Sequence, residues 1–528
     1  MPFYEEITNQ ILNGEIKTKE ELHKVKVKLC KKYKIEKIPP DSKILSYLPS
    51  DNSISESVYS LLKKKPMRTI SGVAIVAVMT SPDSCPHGKC IPCPGGLENN
   101  TPQSYTGYEP AAMRGALNDY DPYYQVKSRT EQLKAIGHPT DKIDLILMGG
   151  TFTSRLPDYQ EWFVKRCLDA LNKENSPSLE TAKKKNEHAP QRCIGLTIET
   201  RPDWFRLQQA DNALNLGSTR VEFGVQNIND NVLFIMSRGH TVSDTIYATR
   251  IAKNSGFKVC YHIMPGLTGS DAKNDFESFK LLFENNDFKP DMIKIYPVLV
   301  IKGTKLFDMW KSGDYKPLDS NQATKLIAHM KEYIPRWVRI QRIQRDVPAQ
   351  IIISGVKKSN LRQMVEKEMR IHNKTCQCIR CREIGHKSLE KPIDFTSLDL
   401  VLSRINYEAS GSLEIFLSIE DRKQDVIVGY LRLRDVALSH RYELNKDPCM
   451  IIRELKVLGM ELAMGKKTKT ALQHRGFGRE LVDEAEKICY EEFDKKKLYV
   501  LSGTGVKEYY RRLGFSDDGV YLSKPFDN

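Results

Sequence analysis

The sequence predicts an α/β chain in three parts: a short helical N-terminal region, a partial barrel of six β/α units, and a second, smaller α/β domain. Three observations carry this. At 528 residues the chain is too long for one ordinary core. From about residue 70, short apolar runs alternate with helix-like segments. After a cysteine-rich stretch at 371–387 the texture becomes strand-rich and closes on strand, helix, strand, helix.

Taken in order, residues 1–64 show three- and four-residue apolar spacing in "YEEITNQILNGE" and "KEELHKVKVKLCKKYKI", which predicts helices leading into the connector "IPPDSKILSYLPSDN". Residues 65–350 hold six buried-strand candidates: 72–79, 143–150, 193–200, 220–226, 258–266 and 292–298. Six strands are too few for a closed eight-fold barrel, so a partial barrel fits. Ligands in such architectures gather at the C-terminal strand ends, where Gly149, Gly150, Glu199, Gln226, His262, Lys294 and Tyr296 fall. The stretch 173–191 reads as a polar surface loop, 351–394 as a linker, and 395–528 as the second domain.

Composition narrows the class. Apolar residues make up 40% and charged residues 28%, the balance of a globular protein, and no apolar run approaches the ~20 residues of a membrane span. The N-terminus lacks the apolar core of a signal peptide, and six of the 12 cysteines fall in two tight clusters rather than a disulfide framework. Both point to the reducing cytoplasm, or nucleus, and away from a membrane. Net charge is +14, with basic runs at 24–37, 63–68 and 336–345. Such runs offer phosphate-seeking side chains, so nucleic acid is the leading partner.

The first cluster, "CPHGKCIPCPGG", sets Cys85, Cys90 and Cys93 just after the first strand, over the barrel mouth. Three thiolates leave an iron-sulfur cluster one iron open for an exogenous ligand. Zinc is the alternative, with His87 as its fourth ligand. "MGGTF" follows the next strand, where Gly149 and Gly150 would let backbone approach a bound ligand. The second cluster, Cys376, Cys378 and Cys381, lies in the linker between His372 and His386. Three thiolates plus one histidine suit closed tetrahedral zinc, His372 being the preferred fourth ligand. The loop Gln473-x-x-Gly476-x-Gly478 runs into an amphipathic helix, a cradle for pyrophosphate.

The strand–loop cluster resembles the radical S-adenosylmethionine (SAM) superfamily, with a first cysteine gap one residue longer than that superfamily's usual spacing. The last domain resembles the GCN5-related N-acetyltransferases (GNAT). By that resemblance Glu454, Leu455, Lys456 and Val457 would line the acyl arm of acetyl-CoA, Phe477, Gly478 and Arg479 would hold its phosphates, and Tyr510, beside Tyr509, would lie near the thioester. With "SYTGYEPAAMR", "HIMPGL", "KIYPVLVIKGT", "QRIQRDVP" and "GVKEYYRRLGF", residues 20–523 resemble the family of Elongator catalytic subunits, archaeal members in particular.

The resemblance implies a tRNA wobble-uridine acetyltransferase using a 4Fe-4S cluster, SAM, acetyl-CoA and zinc. A 5′-deoxyadenosyl radical would abstract hydrogen from the acetyl methyl, the carbon radical would add to uracil C5, and thioester hydrolysis would leave a carboxymethyl group. Lys294, Tyr296, Tyr509 and Tyr510 are the expected catalytic residues, with Lys142 a barrel contact to the CoA. Expected partners are the tRNA anticodon stem-loop and an electron donor for the cluster, with other Elongator-type subunits or a homodimer left open. The alternative reading is a protein lysine acetyltransferase whose iron-sulfur domain is structural.

Overall fold

A computed structural model of the chain describes all residues except 50–57, 59–60, 391–392, 395–396, 437–438, 460–475 and 527–528. Gln473 therefore lies outside the described residues.

All six expected runs form strands: β1 (Ala74–Met79), β2 (Lys142–Met148), β3 (Arg192–Thr200), β4 (Arg220–Gln226), β5 (Lys258–Ile263) and β6 (Met292–Ile295). They pair in parallel and in chain order. A short ribbon of β7 (Val300–Ile301) with β9 (Ile352–Ser354) brackets β8 (Arg339–Ile343), which joins β6 as a seventh parallel strand. The barrel thus has one strand more than the sequence reading counted. The basic run at 336–345 hides it: Val338, Ile340 and Ile343 are buried at alternating or near-alternating positions, and arginines fill the other face. Those arginines are not free for phosphate. Arg336 reaches Glu420 and Asp425, Arg339 reaches Glu383 at 2.7 Å, and Arg342 reaches Asp346 at 2.6 Å.

Helices Pro2–Leu12, Lys19–Lys32 and Asp41–Leu45 build a separate small core from Phe3, Ile7, Ile11, Leu22, Leu29 and Ile44. Thr18 and Glu21 form a capping box that fixes where the second helix begins. Its polar face keeps Lys24, Lys28 and Lys31 exposed, whereas Lys26 and Lys32 are paired with Asp41 and Glu6. The stretch 173–191, expected as a loop, contains helix Leu179–Asn186. Ser178 caps it, and Leu179 and Ala182 anchor it against the barrel core.

The second domain is a seven-stranded sheet ordered β10-β11-β12-β13-β14-β16-β15. Its strands are β10 (Leu400–Ala409), β11 (Ser412–Asp421), β12 (Val426–Asp435), β13 (Cys449–Val457), β14 (Lys497–Val500), β15 (Ser516–Asp518) and β16 (Tyr521–Pro525). Helix Phe477–Lys487 covers it through Leu481, Val482 and Ala485. The linker docks rather than dangles, since Ile379 and Ile384 enter this second core.

The two domains meet through buried charge. Arg453 of β13 spans Asp291, at 2.6 and 2.8 Å, and Glu414, at 2.8 Å. Lys253 lies 3.4 Å from both carboxylates, Arg434 2.8 Å from Glu414, and Arg432 3.7 Å from Asp291. All six side chains are essentially inaccessible. Taking these charges out of water is tolerable only in this mutually paired arrangement, which fixes one alignment of the domains.

Candidate functional site: two cavities at opposite ends of the barrel

The first cavity, about 160 Å³, opens at the C-terminal strand ends. Cys85, Cys90 and Cys93 all line it, with Gly150, Thr151, Glu199, Arg201, Arg238, His262, Tyr296 and Arg345. The thiols are not drawn together like those of Cys376, Cys378 and Cys381, whose sulfurs lie mutually within 4.8 Å. The first triplet is more widely spread, its three thiols sharing the wall of one cavity. Burial pushes the Cys85 and Cys93 thiols up, which ligation by iron would reverse. Cys90 faces the Nε2 of His87 at 3.0 Å, and Cys93 accepts from the Ser104 N–H at 3.2 Å. The residues fit an iron-sulfur cluster.

The two glycines after β2 separate in role. A Cβ on Gly149 would collide with the Thr80 hydroxyl, away from the cavity, whereas one on Gly150 would sit 3.9 Å from the Cys85 sulfur. Both have positive φ, +131° and +92°, which favours glycine. Gly150 is the one that lines the cavity.

Beneath the cavity lies a polar ladder that the apolar look of the strands did not reveal. Tyr105 donates to Glu199 at 2.9 Å, and Lys294 holds Glu199 at 3.1 Å and also pairs with Glu222. Glu222 accepts from His262 at 2.8 Å and lies 3.3 Å from Arg220, which reaches Asp144 at 3.2 Å. Burial works against the Glu222 charge, yet Lys294, His262 and Arg220 hold its carboxyl well below the usual range. The Lys294 ammonium is held charged by Glu222, against the effect of burial. Lys294 thus stands behind the wall as a fixed cation, while Tyr296 faces the cavity, edge-on to His262 at 5.6 Å.

The ladder's lower end is the floor of a second cavity, about 580 Å³, between the N-terminal strand ends and the second domain. Lys142, Asp144, Arg220 and Lys258 enter from the barrel. Glu454, Leu455, Lys456, Val457, Gly476, Phe477, Gly478, Arg479, Tyr509 and Tyr510 enter from the other side. Local folding explains the opening. β13 and β14 pair only from Cys449 to Ile452, so the later residues of β13 have no partner strand on that side. Gly476 caps the next helix with φ +94°, and a Cβ on Gly478 would meet the Tyr509 hydroxyl at 2.7 Å. Gly476, Phe477, Gly478 and Arg479 thus bring a helix N-terminus to the cavity wall, the end of a helix that favours an anionic phosphate. Glu454 is fixed by Arg432 at 2.9 Å and the Tyr430 hydroxyl at 3.0 Å. The residues fit a CoA thioester.

At the linker triplet, hydrogen bonds from Cys376 and Cys381 and the nearby Lys331 ammonium overcome burial and hold Cys378 toward the thiolate. His372 is not brought to it; its ring lies 3.4 Å from Glu368 and is largely exposed. His386 lies 3.7 Å from Glu383 instead. The triplet offers three positions of a tetrahedral ion, and no ring nitrogen of either histidine lies within 4.8 Å of all three sulfurs. Among the described residues no helix is long and apolar enough to cross a membrane.

Known proteins match this chain over nearly its whole length. Family models match as ELP3 N-terminal domain at 1–70, Radical SAM superfamily at 81–280 and Radical_SAM C-terminal domain at 290–371. The chain is 50% identical to the tRNA uridine(34) acetyltransferase of Methanocaldococcus jannaschii, covering 98% of this chain and 96% of that one. It is 40% identical to Elongator complex protein 3 of Schizosaccharomyces pombe over 98% and 97%. A solved structure of the archaeal Methanocaldococcus infernus Elp3, lacking residues 1–46, superposes with TM-score 0.77 at 48% identity, covering 87% of this chain and 100% of that one. The chain belongs to the family of tRNA uridine(34) acetyltransferases and Elongator complex protein 3.

Proposed function

We propose that this chain modifies C5 of the wobble uridine of tRNA, taking the acetyl group from acetyl-CoA and installing it as a carboxymethyl group. The observation that carries the reading is the placement of two chemically distinct cavities at the two ends of one half-barrel, locked together by buried ion pairs. Cys85, Cys90 and Cys93 would hold a 4Fe-4S cluster with SAM beside Gly150. Bound there, the cluster would supply the one-electron chemistry that uracil C5, a poor target for ordinary acyl transfer, requires. Tyr296 and Arg345 face the same space, and the Arg345 guanidinium lies 5.4 Å from the Tyr105 ring. Together they would seat a flipped uracil over a floor held by Glu199 and Lys294.

In the second cavity, a GNAT-type site, Gly476 to Arg479 would take the CoA phosphates and Lys142 would contact CoA from the barrel. Glu454 to Val457 would line the acyl arm, and Tyr509 and Tyr510 would border the thioester. The exposed lysines of helix Lys19–Lys32 would contact anticodon-arm phosphates. Zinc at Cys376, Cys378 and Cys381 would pin the linker. We place the protein in the cytoplasm. The protein lysine acetyltransferase alternative has no support of its own among these observations.

The test combines anaerobically reconstituted protein, SAM, a reductant, acetyl-CoA and an anticodon stem-loop, with 5-carboxymethyluridine and 5′-deoxyadenosine read by mass spectrometry. Both products should form in wild type, and Cys90→Ser should abolish both. Uridine modification at an undiminished rate in Cys90→Ser would sink the reading.

A further inference from the structure

The three cysteines of the first cavity do not stand in equal surroundings. Cys85 is met by the Thr151 hydroxyl at 3.6 Å, and Cys93 by a backbone N–H. Cys90 alone is met by two side-chain nitrogens, His87 Nε2 at 3.0 Å and Arg238 Nη1 at 3.5 Å. Neither is there by accident of a mobile surface. Arg238 Nη2 donates to the Gly224 carbonyl at 2.6 Å, and the Arg238 carbonyl accepts from Arg201 at 2.7 Å. Arg201 is itself clamped by Asp203 at 2.7 and 2.9 Å. The cysteine loop is tied to the same segment where the Ile91 N–H donates to the Met236 carbonyl at 3.2 Å.

Two glycines make the room. A Cβ on Gly224 of β4 would lie 2.6 Å from the Arg238 Nη2, in the space the guanidinium occupies. A Cβ on Gly239 would lie 2.7 Å from the His87 Cβ, and Gly239 has φ +72°, a conformation that resists any other residue. Each donor to Cys90 thus has its own glycine-made slot. Arg201 is matched by Asp203, but Arg238 forms no ion pair among the described residues. Its charge has the Cys90 sulfur and a carbonyl as its neighbours. An unmatched guanidinium is costly in a partly buried wall unless a negative group is bound opposite it.

We propose that Arg238 and His87 are positioning residues for the iron-sulfur cluster, setting its reduction potential through Cys90. The inference rests on the cluster reading above. Reduction adds one electron and breaks no bond, so its ease depends on how well the added negative charge is stabilised. Hydrogen bonds and positive charge at a ligating sulfur stabilise the reduced form and make the potential less negative. A low-potential one-electron reductant can then reach a cluster that would otherwise resist it. Arg238 supplies the charge and His87 the shorter contact; Gly224 and Gly239 allow both.

The experiment is an anaerobic redox titration with dithionite, followed by electron paramagnetic resonance. It uses full-length wild type, Arg238→Gln, Arg238→Lys and His87→Phe, each with iron and sulfide counted. Arg238→Gln and His87→Phe should bind iron as wild type does and titrate at more negative potential, and Arg238→Lys should recover most of the Arg238→Gln shift. Unchanged potentials at full iron content would overturn the proposal. If Arg238→Gln fails to load iron, His87→Phe decides alone, and an unshifted potential there is equally fatal. A wild type that binds no iron would instead refute the cluster reading, so the two failures are distinguishable.

Discussion

Replacing Arg453 by methionine tests whether buried charge aligns the two cavities. Arg453 gives Asp291 two short contacts, at 2.6 and 2.8 Å, Glu414 two at 2.8 and 3.2 Å, and the Phe257 carbonyl one at 2.6 Å. Its loss leaves Asp291 with the Val259 N–H at 2.8 Å and, of cations, only Lys253 at 3.4 Å and Arg432 at 3.7 Å, both longer than what was removed. Breaking a buried pair from one side costs about 3–5 kcal/mol, against a typical total stability of ~5–15 kcal/mol. Calorimetry should therefore show the second domain melting apart from the barrel, where wild type melts as one unit.

The pH dependence gives an independent sign. Burial opposes the charges of Asp291 and Glu414, but Arg453, the first of their stabilising neighbours, helps hold both carboxyls below their ordinary values. A depressed carboxylate contributes stability above its unfolded value, about 4, and loses it as pH falls through the folded value. The difference between wild type and Arg453→Met should thus be full near neutrality and shrink in acid. A loss under about 1 kcal/mol, or a difference that grows in acid, would refute the reasoning.

Other outcomes follow from single contacts. Gly478→Ala sets a methyl 2.7 Å from the Tyr509 hydroxyl. Overpacking of about 1–3 kcal/mol, carried by the CoA complex, should raise the KM for acetyl-CoA about 5- to 150-fold while SAM affinity stays at the wild-type value, as kinetics and calorimetry would show. Glu199→Gln removes the negative charge that faces Lys294 at 3.1 Å and alters the partner of Tyr105 at 2.9 Å. Losing a hydrogen bond to a charged group costs about 1.5–3 kcal/mol, so the uridine product rate should fall roughly 10- to 100-fold. Purified protein should contain one zinc per chain in a chelator–dye assay, and Cys378→Ala should lose it, whereas His372→Ala should keep it.

Much of the fold was legible because parallel strands buried on both faces leave apolar runs, and all six were found by that signal. The seventh was not, because Arg339 and Arg342 interrupt it, and a register shift against β6 sets its two isoleucines three apart, so no simple alternation shows. Charge also misled inside the barrel. Arg220 and Glu222 stand two apart in "RVEFGVQ", so they share a face, and that face is the barrel interior. Lone strand arginines and glutamates usually read as edges; here they form the ladder between the cavities. Arg238 and Arg345 reached the first cavity from loops, where no periodicity announces them. His372 was attractive by spacing alone, but spacing carries no direction, and its ring turned to Glu368. The cysteine loop and the glycine-led helix were readable because both chemistries demand their residues close together in sequence.

Under the proposed function, Cys85, Cys90 and Cys93 leave one metal position open for a substrate. Electron paramagnetic resonance of the reduced, reconstituted protein, with and without SAM, tests this. A 4Fe-4S signal whose shape changes when SAM is added is the predicted result. A spectrum that SAM leaves unaltered, at full iron content, would contradict it.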